Sequence, residues 1–572
     1  MPIPGANACW DFSTRALMGK IIKQILFGGL LAIASPAIFV LLNTYCPPDS
    51  SVWWINGAIS ALVFIGIALL KYATHTGRWF SMGTLMLTTG WIIYSLRDDP
   101  NVVLICLIAL TLGLIFLWSQ SSFQPQGETK PSDYWNQIFH YPGRFLVATF
   151  LVLCLVGGLI LSLPVCAAKP SGIGFLDALF TSVSATCVTG LIVLDTPVDF
   201  STTGQVVVLL LIQVGGLGIM TFYAAAALLL RQRMSIREEG AAAELLGSKG
   251  RSGLFAALRS IFIVTFVAEI IGALLLAWLF WHEGDGILQA LWRGLFTSVS
   301  AYCNAGFALQ SDNLIPYQTQ PVILHMIALL IITGGLGPAV VVLLPNFVAQ
   351  KRVPLHVHLV LSTTVFLLIV PAILFAAIEW SNTLVHLTVW QRLSNAFFQS
   401  VTTRTAGFNS IDLAAAHPAT LAIMDILMFI GGSPGSTAGG IKTTTAALLF
   451  FSVIATLRNR SEVTAFGWRI PQESIYKTIT IFVLSLLGVA GGLIALLLTQ
   501  PLSFHVALFE VLSALGTVGL SIGATGALDG IGKIVIMLCM FAGRVGMLTL
   551  LLSLSERHTT SWKLPEQNVI VG

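Results

Sequence analysis

Four glycines, Gly190, Gly306, Gly407 and Gly519, hold the same place in four short stretches of related sequence. Phe175 to Leu191 reads FLDALFTSVSATCVTGL, and Ala290 to Phe307 reads ALWRGLFTSVSAYCNAGF. Asn395 to Asn409 reads NAFFQSVTTRTAGFN, and Ala507 to Ser521 reads ALFEVLSALGTVGLS. Each is a short apolar helix, a loop and a glycine followed by Leu or Phe. The chemistry open to such a loop belongs to its backbone: rings of peptide carbonyls can replace the water shell of a dehydrated potassium ion. Aiming successive carbonyls at one axis needs backbone angles that glycine adopts without strain. The ring is assigned to the four glycines with the carbonyls of Val188 and Thr189, Asn304 and Ala305, Thr405 and Ala406, and Thr517 and Val518 beside them. A single glycine in an apolar helix reads as close packing; four at matched positions reverse that reading. Each short helix would point its carbonyl end, the negative end of its dipole, at a cation.

A second glycine-rich stretch runs Gly431-Gly432-Ser433-Pro434-Gly435-Ser436-Thr437-Ala438-Gly439-Gly440, in the middle of an apolar segment. Each glycine costs a helix about 1 kcal/mol and proline about 3, so an unwound, mobile segment lining water is expected there. Arg544 lies in another apolar segment, where an arginine costs about 2.5–3.5 kcal/mol on insertion scales and normally faces the bundle interior. Its charge would set an electrostatic barrier beside the glycine-rich loop; the competing reading is an arginine snorkelling to the interface. Lys442 would seat the loop on a carboxylate or carbonyl, or simply cap a helix. Arg404 is expected behind the third glycine loop, paired with Glu510 of the fourth short helix. Glu269 and Asp425 are ionisable at membrane depth, candidates without a specific role. His356 and His358 lack further ligands at metal-binding spacing and read as part of a solvated basic loop.

The elements that must position these groups are membrane helices. Of 572 residues, 56% are apolar and only 9% charged, with a mean hydropathy of +0.88; soluble domains carry roughly 25% charged residues. The net charge of +4 is scattered between apolar runs, which argues against nucleic acid and for topology signals. The eight cysteines form no paired metal or redox spacing and read as small core residues. The apolar run 25–42 is too long for a signal core and lacks a small-residue cleavage site, which makes it the first membrane helix.

Four apolar runs, about 25–42, 52–70, 79–96 and 101–118, precede a polar stretch from Gln120 to Gly143. Beyond it, each glycine loop lies between two long apolar segments, about 145–165 and 204–230, 258–281 and 321–347, 358–380 and 418–455, and 475–499 and 530–554. Self-similarity of this kind marks repeats. The expected fold is an all-α polytopic membrane protein: four fused helix, pore-loop, helix repeats around one pore with pseudo-fourfold symmetry, behind four extra helices. The divisions are 1–140, then repeats at 141–235, 236–350, 351–460 and 461–572 with the C-terminal tail. Basic residues cluster between repeats, at Arg231 to Arg259, Lys351 and Arg352, and Arg458 to Lys477. The positive-inside rule makes these joins cytoplasmic, which gives twelve crossings, both termini inside and glycine loops entering from the outer face.

The stretches CVTGL, YCNAGF, RTAGFN and GTVGLS resemble the four pore loops of the Trk/Ktr/HKT superfamily of potassium transporters, and a shortened form of the potassium-channel TVGYG filter. The likeness covers about residues 144–555. Gly431 to Thr444, GGSPGSTAGGIKTT, is similar to the loop that interrupts the second helix of that family's third unit, and Gly543 to Thr549, GRVGMLT, to the arginine-bearing helix of the Ktr branch. Met547 stands where family members often carry proline, and the four leading helices exceed what the Ktr branch usually has. The resemblance implies potassium uptake across the cytoplasmic membrane, with potassium as substrate and no cofactor in this chain. It also implies a homodimer in membrane lipid and a cytoplasmic nucleotide-binding regulatory ring as partner. In the plant branch a serine at the first filter glycine accompanies sodium selectivity; Gly190 argues against that here, and coupling to sodium or protons stays open. An enzyme would need a convergent nucleophile, base or metal set, and neither that nor a GxxxxGK[ST] phosphate cradle is present in the sequence.

Overall fold

The computed structural model describes residues 142–170, 172–218, 250–350, 353–547 and 549, all within one compact unit, Gln126–Gly572. The apolar runs expected before residue 140, the basic stretch 219–249 and the C-terminal tail lie outside the described residues.

One order of elements recurs along the chain. The first set is α1 (Pro142–Leu161), the short helix α2 (Phe175–Thr186), a one-turn α3 (Thr196–Asp199) and α4 (Thr202–Leu217). The second is α5 (Gly250–His282), α6 (Ile287–Tyr302), α7 (Pro321–Leu336) and α8 (Pro338–Val348). The third is α9 (Leu355–Glu379), α10 (Val389–Thr402), α11 (Pro418–Phe429) and α12 (Thr443–Leu457). A two-residue hairpin, Thr464–Ala465 paired with Trp468–Arg469, leads to α13 (Gln472–Thr499), α14 (Phe504–Gly516) and α15 (Gly530–Val545).

Among the described residues, three helices are long and apolar enough to cross a bilayer alone: Leu258–His282, Leu355–Glu379 and Gln472–Thr499. Their outer faces carry exposed Ile263, Phe266, Ile270, Leu274, Phe366, Ile373, Leu487 and Leu498, a surface suited to hydrocarbon rather than water. The buried faces hold the short helices. Serine hydroxyls fasten these in three sets: Ser182 donates to the Cys154 carbonyl, Ser298 to that of Glu269 and Ser400 to that of Leu368, each at 2.7 Å. The fourth set has Val511 at the corresponding place.

The second long segments depart from expectation. The 321–347 segment bends by 101° at Gly337, and in 530–554 the helix is broken after Val545, at Gly546. In 418–455 the helix is broken from Ile430 to Lys442, as the glycine content predicts. The cause is visible in three related motifs, Gly215-Gly216-Leu217-Gly218, Gly334-Gly335-Leu336-Gly337 and Gly543-Arg544-Val545-Gly546. The last glycine of each has φ near +80 to +89°, a conformation that stops a helix of L residues. The first lies against the end of a short helix, so a Cβ there would strike the carbonyl of Thr186, Tyr302 or Leu515.

The sets are stitched side to side. Trp292 on α6 donates to Gln205 on α4 at 2.9 Å, and Asn395 on α10 donates to the Gln318 carbonyl at 2.7 Å. Lys533 on α15 meets Asp177 on α2 at 2.6 Å, joining the last set to the first.

Candidate functional site

Each short helix ends in a loop of the same shape. Val188, Asn304, Thr405 and Thr517 have φ of 56, 60, 70 and 51°, and Gly190, Gly306, Gly407 and Gly519 have φ of 95, 70, 76 and 94°. Left-handed backbone at a non-glycine residue is uncommon, and here it recurs two residues ahead of each glycine. All these residues are buried except Gly519, which is half-buried.

The four loops meet in a closed cycle. A Cβ built on Gly190 would fall on the Ala305 carbonyl oxygen, and one on Gly306 on that of Ala406. One on Gly407 would fall on the Val518 oxygen, and one on Gly519 on the Thr189 oxygen. Every glycine therefore abuts the carbonyl ahead of its neighbour's glycine, and the fourth closes on the first. Thr189, Ala305, Ala406 and Val518 thus place their carbonyls in one ring.

Hydroxyls four residues after a buried Phe hold each loop. After Phe180 and Phe509, Ser184 and Ser513 accept from the N–H of Gly190 and Gly519, both at 3.1 Å. After Phe296 and Phe398, Ser300 donates to the Phe307 carbonyl at 2.7 Å and Thr402 to that of Phe408 at 2.5 Å. Sequence reading missed these braces, although a hydroxyl at one fixed distance from four aligned phenylalanines was the available signal. Asn304 and Thr405 also meet at 3.3 Å across neighbouring loops.

Beneath the second and fourth loops runs the glycine-rich segment. Its ends are clamped, Gly431 N–H donating to Ile441 O at 2.7 Å and Thr443 N–H to Gly432 O at 2.9 Å. Ser433 donates to the Leu336 carbonyl at 2.6 Å, and Thr437 to that of Tyr302 at 3.2 Å. Gly439 lies so near Thr517 that a Cβ would strike its hydroxyl, while Pro434, Gly435 and Ser436 form the exposed or half-buried turn. Lys442 donates to the Ala438 carbonyl at 2.7 Å, which is the carbonyl seating expected of it. The helix-capping alternative fails, because Lys442 precedes the N-terminus of α12 and caps favour a cation at the other end. Arg544 donates to the carbonyls of Thr437 and Gly215. It turns inward to the loop instead of snorkelling outward.

Chains of related sequence give this geometry a family. The model described as TrkH, cation transport protein, matches residues 133–351 and 352–563. The chain belongs to the TrkH family. Relatives of this TrkH-family chain include the Ktr system potassium uptake protein B of Bacillus subtilis, 37% identical over 433 residues, 75% of this chain and 97% of that one. The potassium/sodium uptake protein NtpJ of Enterococcus hirae is 37% identical over 439 residues, with the same shares. The crystal structure of the potassium transporter TrkH from Vibrio parahaemolyticus aligns with a TM-score of 0.59 at 19% identity, over 84% of this chain and 96% of that one. The protein is thus an integral membrane protein of a cation transport family.

Other residues of this TrkH-family chain lie elsewhere than expected. Glu510 does not meet Arg404: it accepts from Ser521 at 2.5 Å, from Thr525, and from the backbone at Ile522 and Ala524. Local donors saturate that carboxylate. Arg404 is buried beside the third loop, and its Nε has no hydrogen-bond partner among the described residues. Glu269 accepts from Gln213 at 3.1 Å and lies 3.8 Å from Cys303, directly ahead of the second loop. Asp425 faces His505 at 4.0 Å. His356 and His358 belong to the first turn of α9, not to a loop, and His358 packs on Phe347 and Phe466. The five described cysteines are free and buried, as small core residues would be.

Proposed function

We propose that this chain conducts potassium into the cell through the ring of carbonyls formed by its four glycine loops. The observation that carries the reading is the closed cycle in which each glycine abuts its neighbour's carbonyl. Non-helical backbone survives at membrane depth only inside protein or along a watered path, and four such loops in a cycle form a path of carbonyl dipoles suited to a dehydrated alkali-metal ion. Val188, Asn304, Thr405 and Thr517 supply the carbonyls one layer deeper, and the short helices point their negative ends toward the ion.

Flux is gated by the segment Gly431 to Gly440 with Lys442 and Arg544. The arginine carries its charge beneath the ring and is tied to the loop at Thr437. Displacing the loop requires breaking that bond. The family model and the relatives named for uptake support a transport role rather than a catalytic one.

The chain is read as four pore repeats at 141–235, 236–350, 351–460 and 461–572 behind four further helices, in the cytoplasmic membrane with both termini inside. The relatives called Ktr system proteins support a multi-subunit assembly, here a homodimer of this chain on a cytoplasmic nucleotide-binding regulatory ring. The relative named for both potassium and sodium uptake favours a second reading, a sodium-permeable or sodium-coupled carrier of the same fold. The deciding experiment is rubidium uptake, with and without sodium, in cells lacking their own potassium uptake. The proposal expects sodium-independent rubidium uptake that Gly190→Ser makes unselective; uptake that requires sodium favours the second reading, and an unchanged preference in the variant overturns the ring.

A further inference from the structure

The last carbonyls of α7 are bonded to a different part of the chain. In a continuous helix Gly335 and Leu336 would accept from the N–H groups of Ala339 and Val340, four residues on. The 101° bend at Gly337 turns those donors away, and Val340 donates to the Gly337 carbonyl instead, at 3.1 Å. The glycine-rich segment takes their places. Ser433 gives its N–H to Gly335 O at 3.0 Å and its hydroxyl to Leu336 O at 2.6 Å, and Thr437 gives its N–H to Gly334 O at 3.4 Å. The turn of the segment also rests on the hinge, for a Cβ on Gly337 would lie 3.0 Å from the Gly435 oxygen and 3.1 Å from Ser436 Cα.

Helix carbonyls point along the axis toward the following turn. A straight continuation of α7 and the glycine-rich segment therefore claim the same acceptors and the same space. Straightening is compatible with the rest of the sequence: Pro321–Leu336 and Pro338–Val348 together pass as one membrane span, and joined they would run about 42 Å, enough for a bilayer. Pro338 opposes it, since it has no N–H for Gly334 and disfavours helical backbone at Gly337. The joined form is then a proline-kinked helix that recovers the helical bonds of Ala339 and Val340, set against a bent form that bonds the segment.

We propose that α7 and α8 are a second moving part of the gate. Bent, they hold the glycine-rich segment beneath the ring; straightened, they return the Gly335 and Leu336 carbonyls to Ala339 and Val340 and release it. Thr437 links this hinge to Arg544, because its N–H is bonded to α7 while its carbonyl accepts from the arginine. Loosening either attachment favours loosening of the other. The effect on flux rests on the gating and conduction readings above; the straightening itself does not.

Spin labels attached through a bio-orthogonal handle at Val322 and Val348, 62% and 73% exposed, read the bend in the full-length protein in lipid. With helices of about 24 and 16 Å at 101°, the labelled ends lie about 26 Å apart when bent and close to about 40 Å when joined. Gly337→Ala meets the segment and strains a backbone at φ +79°, so it should populate the longer distance and raise rubidium uptake about tenfold. Arg544→Ala, in a different set, should populate the longer distance too. Gly467→Ala, at φ +80° with nothing within 4 Å, should do neither. A distance that stays short in Gly337→Ala and Arg544→Ala overturns the hinge, and if Gly337→Ala does not fold, Arg544→Ala alone decides. Where the wild type takes up rubidium, a longer distance in Gly337→Ala without faster uptake overturns the link to the gate. A protein that takes up no rubidium in any form while its distance still lengthens refutes conduction and supports the hinge, so the failures separate.

Discussion

Arg544 donates to the backbone carbonyl of Thr437, joining the last turn of α15 to the glycine-rich segment that interrupts the third set. The same guanidinium reaches Gly215 at the end of α4, so one side chain ties together three of the four sets. Replacing it with alanine removes a charge and both bonds. Charge-assisted bonds contribute roughly 1.5–3 kcal/mol, so Arg544→Ala should raise rubidium flux by about tenfold or more. Arg544→Lys keeps the charge but not the fork, and should fall between the two. Flux at or below wild type in Arg544→Ala would remove the gate from this residue.

Gly190 has no room for a side chain: its φ is +95°, and the Ala305 oxygen lies where a Cβ would go. Gly190→Ser should displace that oxygen and lower the potassium-over-sodium preference while Gly172→Ser, at an open position, should not. Competition of sodium against rubidium uptake reads this directly.

Ser184 and Ser513 accept from the amides of Gly190 and Gly519. Either serine changed to alanine leaves an N–H unpaired, buried at Gly190 and part-buried at Gly519, at a cost of up to about 1–3 kcal/mol for the buried one. We expect Ser184→Ala and Ser513→Ala to lose selectivity with normal membrane expression. Ser182→Ala, which releases α2 from α1 instead, should lower thermal stability with selectivity retained. A selectivity loss equal in all three would mean general loosening.

Lys533 and Asp177 close the circle between the last and first sets, with side chains 17% and 30% exposed. Asp177→Lys should lower the thermal midpoint of the detergent-purified protein by an amount worth about 1 kcal/mol, and the exchanged pair Asp177→Lys with Lys533→Asp should restore much of it. Because the pair is partly exposed, the loss should shrink in high salt. No recovery in the exchanged pair would show the two residues to be uncoupled.

How far these features were legible in the sequence depended on what carries them. The four glycine loops could be read because each repeats a pattern in which backbone geometry dictates residue type. The break in the third set could be read because glycine and proline oppose helix formation. The bend at Gly337 and the break at Gly546 were hidden inside apolar runs, where hydropathy reports burial in lipid but not backbone direction; only aligning GGLG with GRVG exposes them. The supposed pairing of Arg404 with Glu510 failed for another reason. Opposite charges on different sets suggested attraction, but the carboxylate is saturated by hydroxyls and amides that follow it closely in the chain, and no charge count reveals such local donors.

Arg544 occupies the place that Gly216, Gly335 and Gly432 hold in the other three sets. An assembly of four identical subunits could not do this: it would carry four arginines at that level or none, and a fourfold crowd of positive charge on the axis would shut the route outright. Writing the quarters consecutively in one polypeptide frees each to mutate alone. On the proposed reading, a nearly symmetric passage can then be controlled by a lopsided latch, one arginine and one flap, whose strength is adjustable without touching the ring of oxygens.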